Sequence, residues 1–271
     1  GNLWSWPYIL TIAFATAGIY FSPAFTVWSF SAKSPKIFKF QSFFIMALLM
    51  GFMYFIFSPI IGVGSQSIIT GLTDADALTP TIIFRYMPSW MFVITSLGIL
   101  AAMNSTADSY LATLSNIFSR DLLVRYIMPN ASAAKQTWVT RGMVLLIVVL
   151  SFIFSLLVID YLVLLGTLAT GFGLLMLPAI AGVTYIKGIT RQGVIAGIVS
   201  GAIAICLTYF VWRHALGIHC GGWGFIVNII VCTIVSLNTE SPSPEIVEKF
   251  HGTFEKKSLK TPELDEKVSL N

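Results

Sequence analysis

Seven apolar segments of about twenty residues constrain this chain more than any other feature. A helix rises about 1.5 Å per residue, so segments of that length cross the roughly 30 Å hydrocarbon core of a bilayer. The chain has 271 residues, 56% of them hydrophobic and 10% charged, and no soluble domain of that length could bury so much apolar surface. We therefore predict an all-α integral membrane protein with spans over 7–30, 42–63, 89–118, 138–158, 161–185, 194–212 and 222–238.

The basic residues are distributed unevenly between the loops. Nine Lys and Arg residues lie in or beside the loops after the first, third and fifth spans, whereas the loops after the second and sixth spans contain only Arg85 and Arg213. Basic loops stay on the cytoplasmic side. We expect a multi-pass protein of the plasma (inner) membrane, with its N-terminus outside, a transmembrane domain over 1–238 and a cytoplasmic polar tail over 239–271. The basic loops explain the net charge of +4, so no nucleic-acid partner is predicted.

The first span is interrupted by Ser22 and Pro23. Proline lacks an N–H and disfavours helical dihedrals in the residue before it, which predicts a break near Phe21 and Ser22. A proline kink filled by a neighbouring helix is one interpretation. The other is a discontinuous helix, which many secondary transporters use to build sites at the middle of the membrane.

Glycines mark two of the later spans. Three glycines, two threonines and Pro178 within residues 165–178 predict a hinged helix, and the short connection before it predicts a tight hairpin around Asp160. The sixth span repeats the G-x-x-x-G spacing, which lets a neighbouring helix approach closely. We interpret these glycines as a packing face: Gly193, Gly197 and Gly201.

The third span has a stripe of small polar side chains on one face. At 100° per residue its members fall within about 120°, and the opposite face carries apolar side chains. The stripe is either a packing face or a set of oxygen ligands for a hard cation. Asp108 favours the second interpretation, because a carboxylate inside a membrane usually marks an ion path. The stripe comprises Ala102, Ser105, Thr106, Ser109, Ala112, Thr113 and Asn116.

The segment Ala101-Ala-Met-Asn-Ser-Thr-Ala-Asp-Ser109, with the Arg120-Asp-Leu122 that we expect to end this helix, resembles the sodium/solute symporter family. Ser22-Pro23 and Ala32-Lys-Ser34 resemble the family's broken helix and its cytoplasmic exit. The resemblance implies a LeuT-like fold of two inverted five-helix repeats. The seven spans then correspond to the second repeat, core helices six to ten, plus two further helices, and the N-terminal half of the transporter is missing.

The resemblance also implies a sodium site. Its ligands here are the carbonyl oxygen of Ala102 and the hydroxyls of Ser105 and Thr106, with two further carbonyls expected from core helix one, outside this chain. Asp108 and Ser109 match a second cation site of some members. Those members have Ser or Thr where this chain has Asp108, which could therefore strengthen a cation site, bind a proton or pair within the bundle.

Four residues match the family's solute site and gate: Phe21, Ser22, Phe25 and Thr170. Sugar carriers have Asn and Gln where this chain has Ser22 and Thr170, which counts against a sugar because hydroxyl-rich ligands need amide partners. The two aromatic side chains could equally serve packing.

These features predict sodium-coupled symport of a small organic solute by alternating access, with Na⁺ as coupling ion and no organic cofactor. The chain is not expected to be an enzyme. One alternative is a symporter-like input domain of a sensor, although the tail of about 33 residues is too short for a catalytic domain. The other is a membrane enzyme or a passive channel. His214, His219 and His251 have no metal-ligand spacing and are expected in loops or the tail.

Overall fold

The computed structural model describes residues 5–30, 35–71, 74–157, 162–213 and 215–252, and these ranges are helical apart from short connections. The first half of the chain contains α1 (Trp6–Thr16), α2 (Pro23–Phe30), α3 (Pro35–Phe40), α4 (Phe52–Ile68), α5 (Leu78–Tyr86) and α6 (Ser89–Asn116). The second half contains α7 (Ala133–Leu157), α8 (Leu162–Leu174), α9 (Leu177–Thr184), α10 (Arg191–Cys206), α11 (Cys220–Leu237) and α12 (Pro244–Val247).

Several helices continue into tighter or wider turns. Short 3₁₀ segments follow α1 and precede α5 and α11, and π-helical segments follow α3, α6, α10 and α12. The 3₁₀ segments are Ala17–Phe21, Ala75–Ala77 and Ala215–Gly217, and the π-helical segments are Gln41–Gly51, Ile117–Ile127, Leu207–Val211 and Glu248–Gly252.

Six helices in the described part of the chain are long and apolar enough to cross a membrane. They agree with the second to seventh predicted spans. The first predicted span is discontinuous: the helical segment Trp6–Phe21 ends at Ser22, and α2 begins at Pro23. The prediction of an all-α integral membrane protein is confirmed, whereas the LeuT-like repeat stays a prediction.

Two connections differ from the sequence-based expectation. The loop after the second span contains α5, whose preceding turn is capped by Asp74, with its Oδ1 accepting from the N–H of Asp76 at 3.0 Å. The prediction that Arg120-Asp-Leu122 ends the helix of the third span is wrong, because the helical backbone continues as a π-helical segment to Ile127. The predicted hairpin around Asp160 and the segment Ala32-Lys-Ser34 lie outside the described residues.

The chain divides into two compact units, 1–25 with 163–271, and 26–162. In the first unit, α10 packs along α11, and Leu168, Leu175 and Ile205 form part of its buried apolar cluster. Gly193, Gly197 and Gly201 lie in the α10–α11 contact, and a Cβ atom on any of them would come within 3.0 Å of atoms of α11. The predicted glycine packing face is therefore confirmed.

In the second unit, α6 packs on α7 near the end of α6. Ser115 and Ser119 are buried there, and the Ser119 hydroxyl donates to the carbonyl of Gln136 at 3.4 Å. Most of both helices is exposed, including large apolar side chains such as Leu100 and Phe152. Such surfaces suit a hydrocarbon surrounding rather than water.

Candidate functional site

Three oxygen atoms converge on one exposed face of α6. The hydroxyls of Ser105 and Thr106 both donate to the carbonyl oxygen of Ala102, at 2.9 Å and 3.2 Å. The convergence follows from the spacing, since residues three and four apart are neighbours on a helix surface. The structure thus brings together the three residues that the sequence predicts for the main sodium site.

The hydrogen bonds fix the direction of the two hydroxyl protons. A hydroxyl has one proton and two lone pairs, so donation to Ala102 leaves the lone pairs of Ser105 and Thr106 available outside the helix. All three residues are exposed. The cluster places three oxygen atoms on one turn, and oxygen is the ligand that hard cations prefer.

Asp108 and Ser109 line a groove of about 630 Å³ further along the same helix. The Ser109 hydroxyl donates to the carbonyl of Ser105 at 2.9 Å, which connects this pair to the three-oxygen cluster. The groove continues past Thr113 to the oppositely charged Arg120 and Asp121. Twelve helical residues separate Asp108 from Arg120, about 18 Å of rise, so the guanidinium is too distant to neutralise the Asp108 carboxylate directly.

The break in the first span is built around Ser22. Its backbone is extended, with φ −65° and ψ 148°, and its N–H donates to the carbonyl of Ile19 at 3.1 Å. Pro23 then begins α2, a position that tolerates proline because no helical N–H is needed there. The ring of Phe25 packs edge-on against Tyr20, with centroids 6.1 Å apart.

The broken helix crosses α8 through backbone contact. Gly18, one turn before Phe21, lies against the backbone of Thr170 and Leu174, and Gly173 lies against the backbone of Gly18. The Thr170 hydroxyl donates to the carbonyl of Thr167 at 3.0 Å, within its own helix. The structure thus brings the break of the first span beside the helix that contains Thr170.

The protein-family comparison decides the wider assignment. A model of the family described as "SSF: Sodium:solute symporter family" matches residues 25–201, which include the three-oxygen cluster, Asp108 and Thr170. The chain belongs to this family. Its members are transporters, so the predictions of a symporter-family protein and of no enzyme are confirmed.

Curated symporters resemble parts of the chain. An uncharacterized symporter of Bacillus subtilis (strain 168), YodF, is 33% identical over 45% of this chain and 24% of its own length. The sodium/proline symporter of Escherichia coli (strain K12) is 29% identical over 59% of the chain and 32% of its own length. That of Staphylococcus aureus is 30% identical over 54% of the chain and 30% of its own length.

This symporter chain therefore spans about a quarter to a third of the length of the curated relatives it matches. No solved structure is significantly similar to it.

Asn228 of α11 is a buried polar residue that sequence reasoning missed. The span that contains Thr170 breaks between α8 and α9, as predicted, and the side-chain amide of Asn228 donates to the carbonyl of Leu175 in this break at 2.8 Å. Asn228 is 0% exposed. Carbonyls released from helical bonding inside a membrane need such a partner, so Asn228 stabilises the hinge. The signal in the sequence is an amide in the middle of a largely apolar span.

His219 is a second residue that sequence reasoning missed, because the sequence predicts it in a loop without a role. It lies at the start of α11, where its Nδ1 accepts from the N–H of Gly221 at 3.1 Å. Its Nε2 is 3.1 Å from the hydroxyl of Thr167, and its backbone N–H donates to the Thr11 hydroxyl at 3.0 Å. Nδ1 is an acceptor, so the neutral ring has its proton on Nε2 and links α1, α8 and α11.

A catalytic metal centre finds no support in the part of the chain that the structure describes, where no three His, Cys, Asp or Glu side chains are grouped as ligands. His251 binds the backbone of Gly182 through Nε2 at 3.1 Å. His214 lies outside the described residues.

Proposed function

We propose that this chain takes part in sodium-coupled symport of a small organic solute across the plasma membrane. The observation that carries the proposal is the convergence of the Ala102 carbonyl with the Ser105 and Thr106 hydroxyls, within the region matched to the sodium:solute symporter family. Family membership supports Na⁺ as the coupling ion.

Three oxygens from one helix complete only part of a sodium site. In this proposal, two further backbone carbonyls come from core helix one, in an N-terminal half of the same transporter. Sodium then bridges α6 to that helix and stabilises the outward-open form. One inward charge moved across 100 mV supplies about 2.3 kcal/mol, which can drive solute accumulation more than tenfold even before the concentration gradient of the ion is counted.

The solute binds, in this proposal, beside the break at Ser22, between Phe21 and Phe25 on one side and Thr170 on the other. The contact of Gly18 with the Thr170 backbone supports this grouping. The sodium/proline symporters among the similar proteins make proline the first solute to test. Proline has no hydroxyl groups, so it does not need the amide partners that sugar carriers have. This agrees with Ser22 and Thr170 at those positions.

Alternating access follows from two breaks in the helices around this position. The first helix changes direction at Ser22, and the helix of Thr170 changes direction at Leu175, where the Asn228 amide holds the released carbonyl. Helix breaks of this kind absorb the dihedral changes of a hinge. In this account, sodium and solute binding close one side of the site before the other side opens.

The test is uptake of radiolabelled proline by cells that express the complete transporter, with Na⁺ or with choline outside. We expect Na⁺-dependent accumulation, and we expect the double variant Ser105→Ala with Thr106→Ala to lose most of it. The matched control is Ser155→Ala with Thr137→Ala in α7, where the same two residue types also donate to carbonyls of their own helix. Equal loss in both double variants, or uptake independent of Na⁺, would contradict the proposal.

Asp108 and Ser109 form, in this proposal, a second cation site in the groove that follows the three-oxygen cluster. The variant Asp108→Asn keeps the shape of the side chain and removes its charge. We expect uptake to continue, with a dependence on Na⁺ concentration that loses its cooperativity. An unchanged cooperativity together with normal protein level would contradict a second sodium site.

A further inference from the structure

A cavity of about 420 Å³ lies beside α12 and the π-helical segment that follows it, together called the docked helix, where they pack against the ends of two spans. Its walls come from α9, from the start of α10 and from α12 with the π-helical segment that follows. Because α9 ends at Thr184 and α10 begins at Arg191, the connection between them lies at a membrane surface, which the predicted orientation makes cytoplasmic. We propose that this cavity binds a phospholipid with an anionic headgroup, a role separate from solute transport.

The docked helix is held in place beside the cavity by a hydrogen bond. The Nε2 atom of His251 is 3.1 Å from the carbonyl oxygen of Gly182, which accepts the hydrogen bond near the end of α9. Ile246 and Phe250, four residues apart and thus on one helical face, line the cavity. The docked helix therefore forms a wall of the cavity rather than a free tail.

The walls suit acyl chains. Most of the lining is apolar and includes Ala179, Val183 and Ile195 from the two spans. Val183, Ile195, Ile246 and Phe250 are also between 43% and 52% exposed, so the apolar surface continues outward from the cavity. Apolar surface at the end of a span is in contact with lipid chains, and a free phosphate has no apolar part that could gain from it.

The charge at the cavity suits an anionic headgroup. Lys187 and Arg191 both line it and both are exposed; Lys187 lies in the connection between α9 and α10, and Arg191 begins α10. Basic pockets between spans at a membrane surface bind acidic headgroups, and a guanidinium can bind two phosphate oxygens at once. Neither acid of the docked helix lines the cavity: Glu245 is exposed, and Glu248 folds its carboxylate against Gly252.

The test is native mass spectrometry of the complete protein purified in detergent, with dioleoyl phosphatidylglycerol or dioleoyl phosphatidylcholine added. We expect retention of phosphatidylglycerol in preference to phosphatidylcholine. The double variant Lys187→Gln with Arg191→Gln is expected to weaken phosphatidylglycerol binding about 30-fold, from two basic residues near the headgroup. Phosphatidylcholine binding should change little.

Two control variants test whether the lipid binds in this cavity and not elsewhere on the protein. Arg125→Gln with Lys135→Gln removes the same charge from another loop that is predicted to be cytoplasmic, and this variant should keep the headgroup preference. Ile246→Ser should weaken both lipids, because it changes the apolar wall. Equal retention of the two lipids by the unmodified protein, equal loss in both charge variants, or glycerophosphate binding as tight as that of the lipid would each overturn the proposal. Uptake measurements play no part, so failure here leaves the transport proposal standing.

Discussion

Replacing Gly197 by alanine tests the packing between α10 and α11. A Cβ atom at Gly197 would overlap the Oδ1 atom of Asn228 and would lie 2.9 Å from both the Asn228 carbonyl oxygen and the Cβ atom of Cys232. The carbonyl oxygen belongs to the backbone and the Cβ atom of Cys232 is fixed by it. The overlap is therefore relieved only if the two helices separate. Overpacking of this kind costs ~1–3 kcal/mol.

Alanine also favours the helix by ~1 kcal/mol relative to glycine, which offsets part of this cost. We therefore expect Gly197→Ala to lower the free energy of unfolding by up to ~2 kcal/mol. Reversible unfolding by SDS in mixed micelles, followed by circular dichroism, measures this difference. The reference variant is Gly142→Ala in α7, where a Cβ atom would meet nothing within 4 Å, and it should be at least as stable as the unmodified protein.

A second substitution locates the strain. In the background of Asn228→Ala, the overlapping Oδ1 atom is absent, so adding Gly197→Ala should cost less than it does alone. The two effects would then be non-additive, as expected for residues in direct contact. A Gly197→Ala protein as stable as Gly142→Ala, or additive effects in the cycle, would refute this account of the packing.

Substitutions at three further positions test individual contacts through the same unfolding measurement. Gly18→Ala should destabilise by ~1–3 kcal/mol, because its Cβ atom would overlap the Thr170 backbone, and wild-type stability would contradict that contact. His219→Ala should lower the free energy of unfolding by ~1–3 kcal/mol, because it leaves buried partners unsatisfied. His219→Asn should recover part of this loss by capping α11, and equal losses in the two variants would argue against the cap. Thr190→Val should cost ~1 kcal/mol, because Thr190 caps α10 by accepting from the N–H of Gly193 at 3.1 Å, and Thr190→Ser should be near wild type.

The helices and their breaks could be predicted because their causes are local. Runs of about twenty apolar residues have no stable alternative to a span, and Pro23 lacks the N–H that an unbroken first helix would need at that position. The glycine face of α10 was also predictable, because its four-residue spacing repeats along one side of a single helix. The convergence at Ala102, Ser105 and Thr106 follows from helical geometry in the same way.

The residues that sequence reasoning missed depend on partners that are distant in the chain. The amide of Asn228 binds a carbonyl 53 residues away, and the side chain of His219 lies beside Thr167, 52 residues away. An isolated polar residue in an apolar run does not indicate which backbone group it will satisfy. The π-helical segment that continues α6 to Ile127 could not be predicted for a different reason, since charged residues such as Arg120 and Asp121 do not prevent a helix from continuing beyond the membrane.

Direct binding of ²²Na⁺ to the purified complete transporter tests the central claim without relying on a chosen solute. The account predicts saturable binding that unlabelled Na⁺ displaces and K⁺ does not. It also predicts that Ser105→Ala with Thr106→Ala lowers the affinity strongly, while Ser155→Ala with Thr137→Ala preserves it. Full sodium affinity in the α6 double variant would contradict the assignment of these oxygens as sodium ligands.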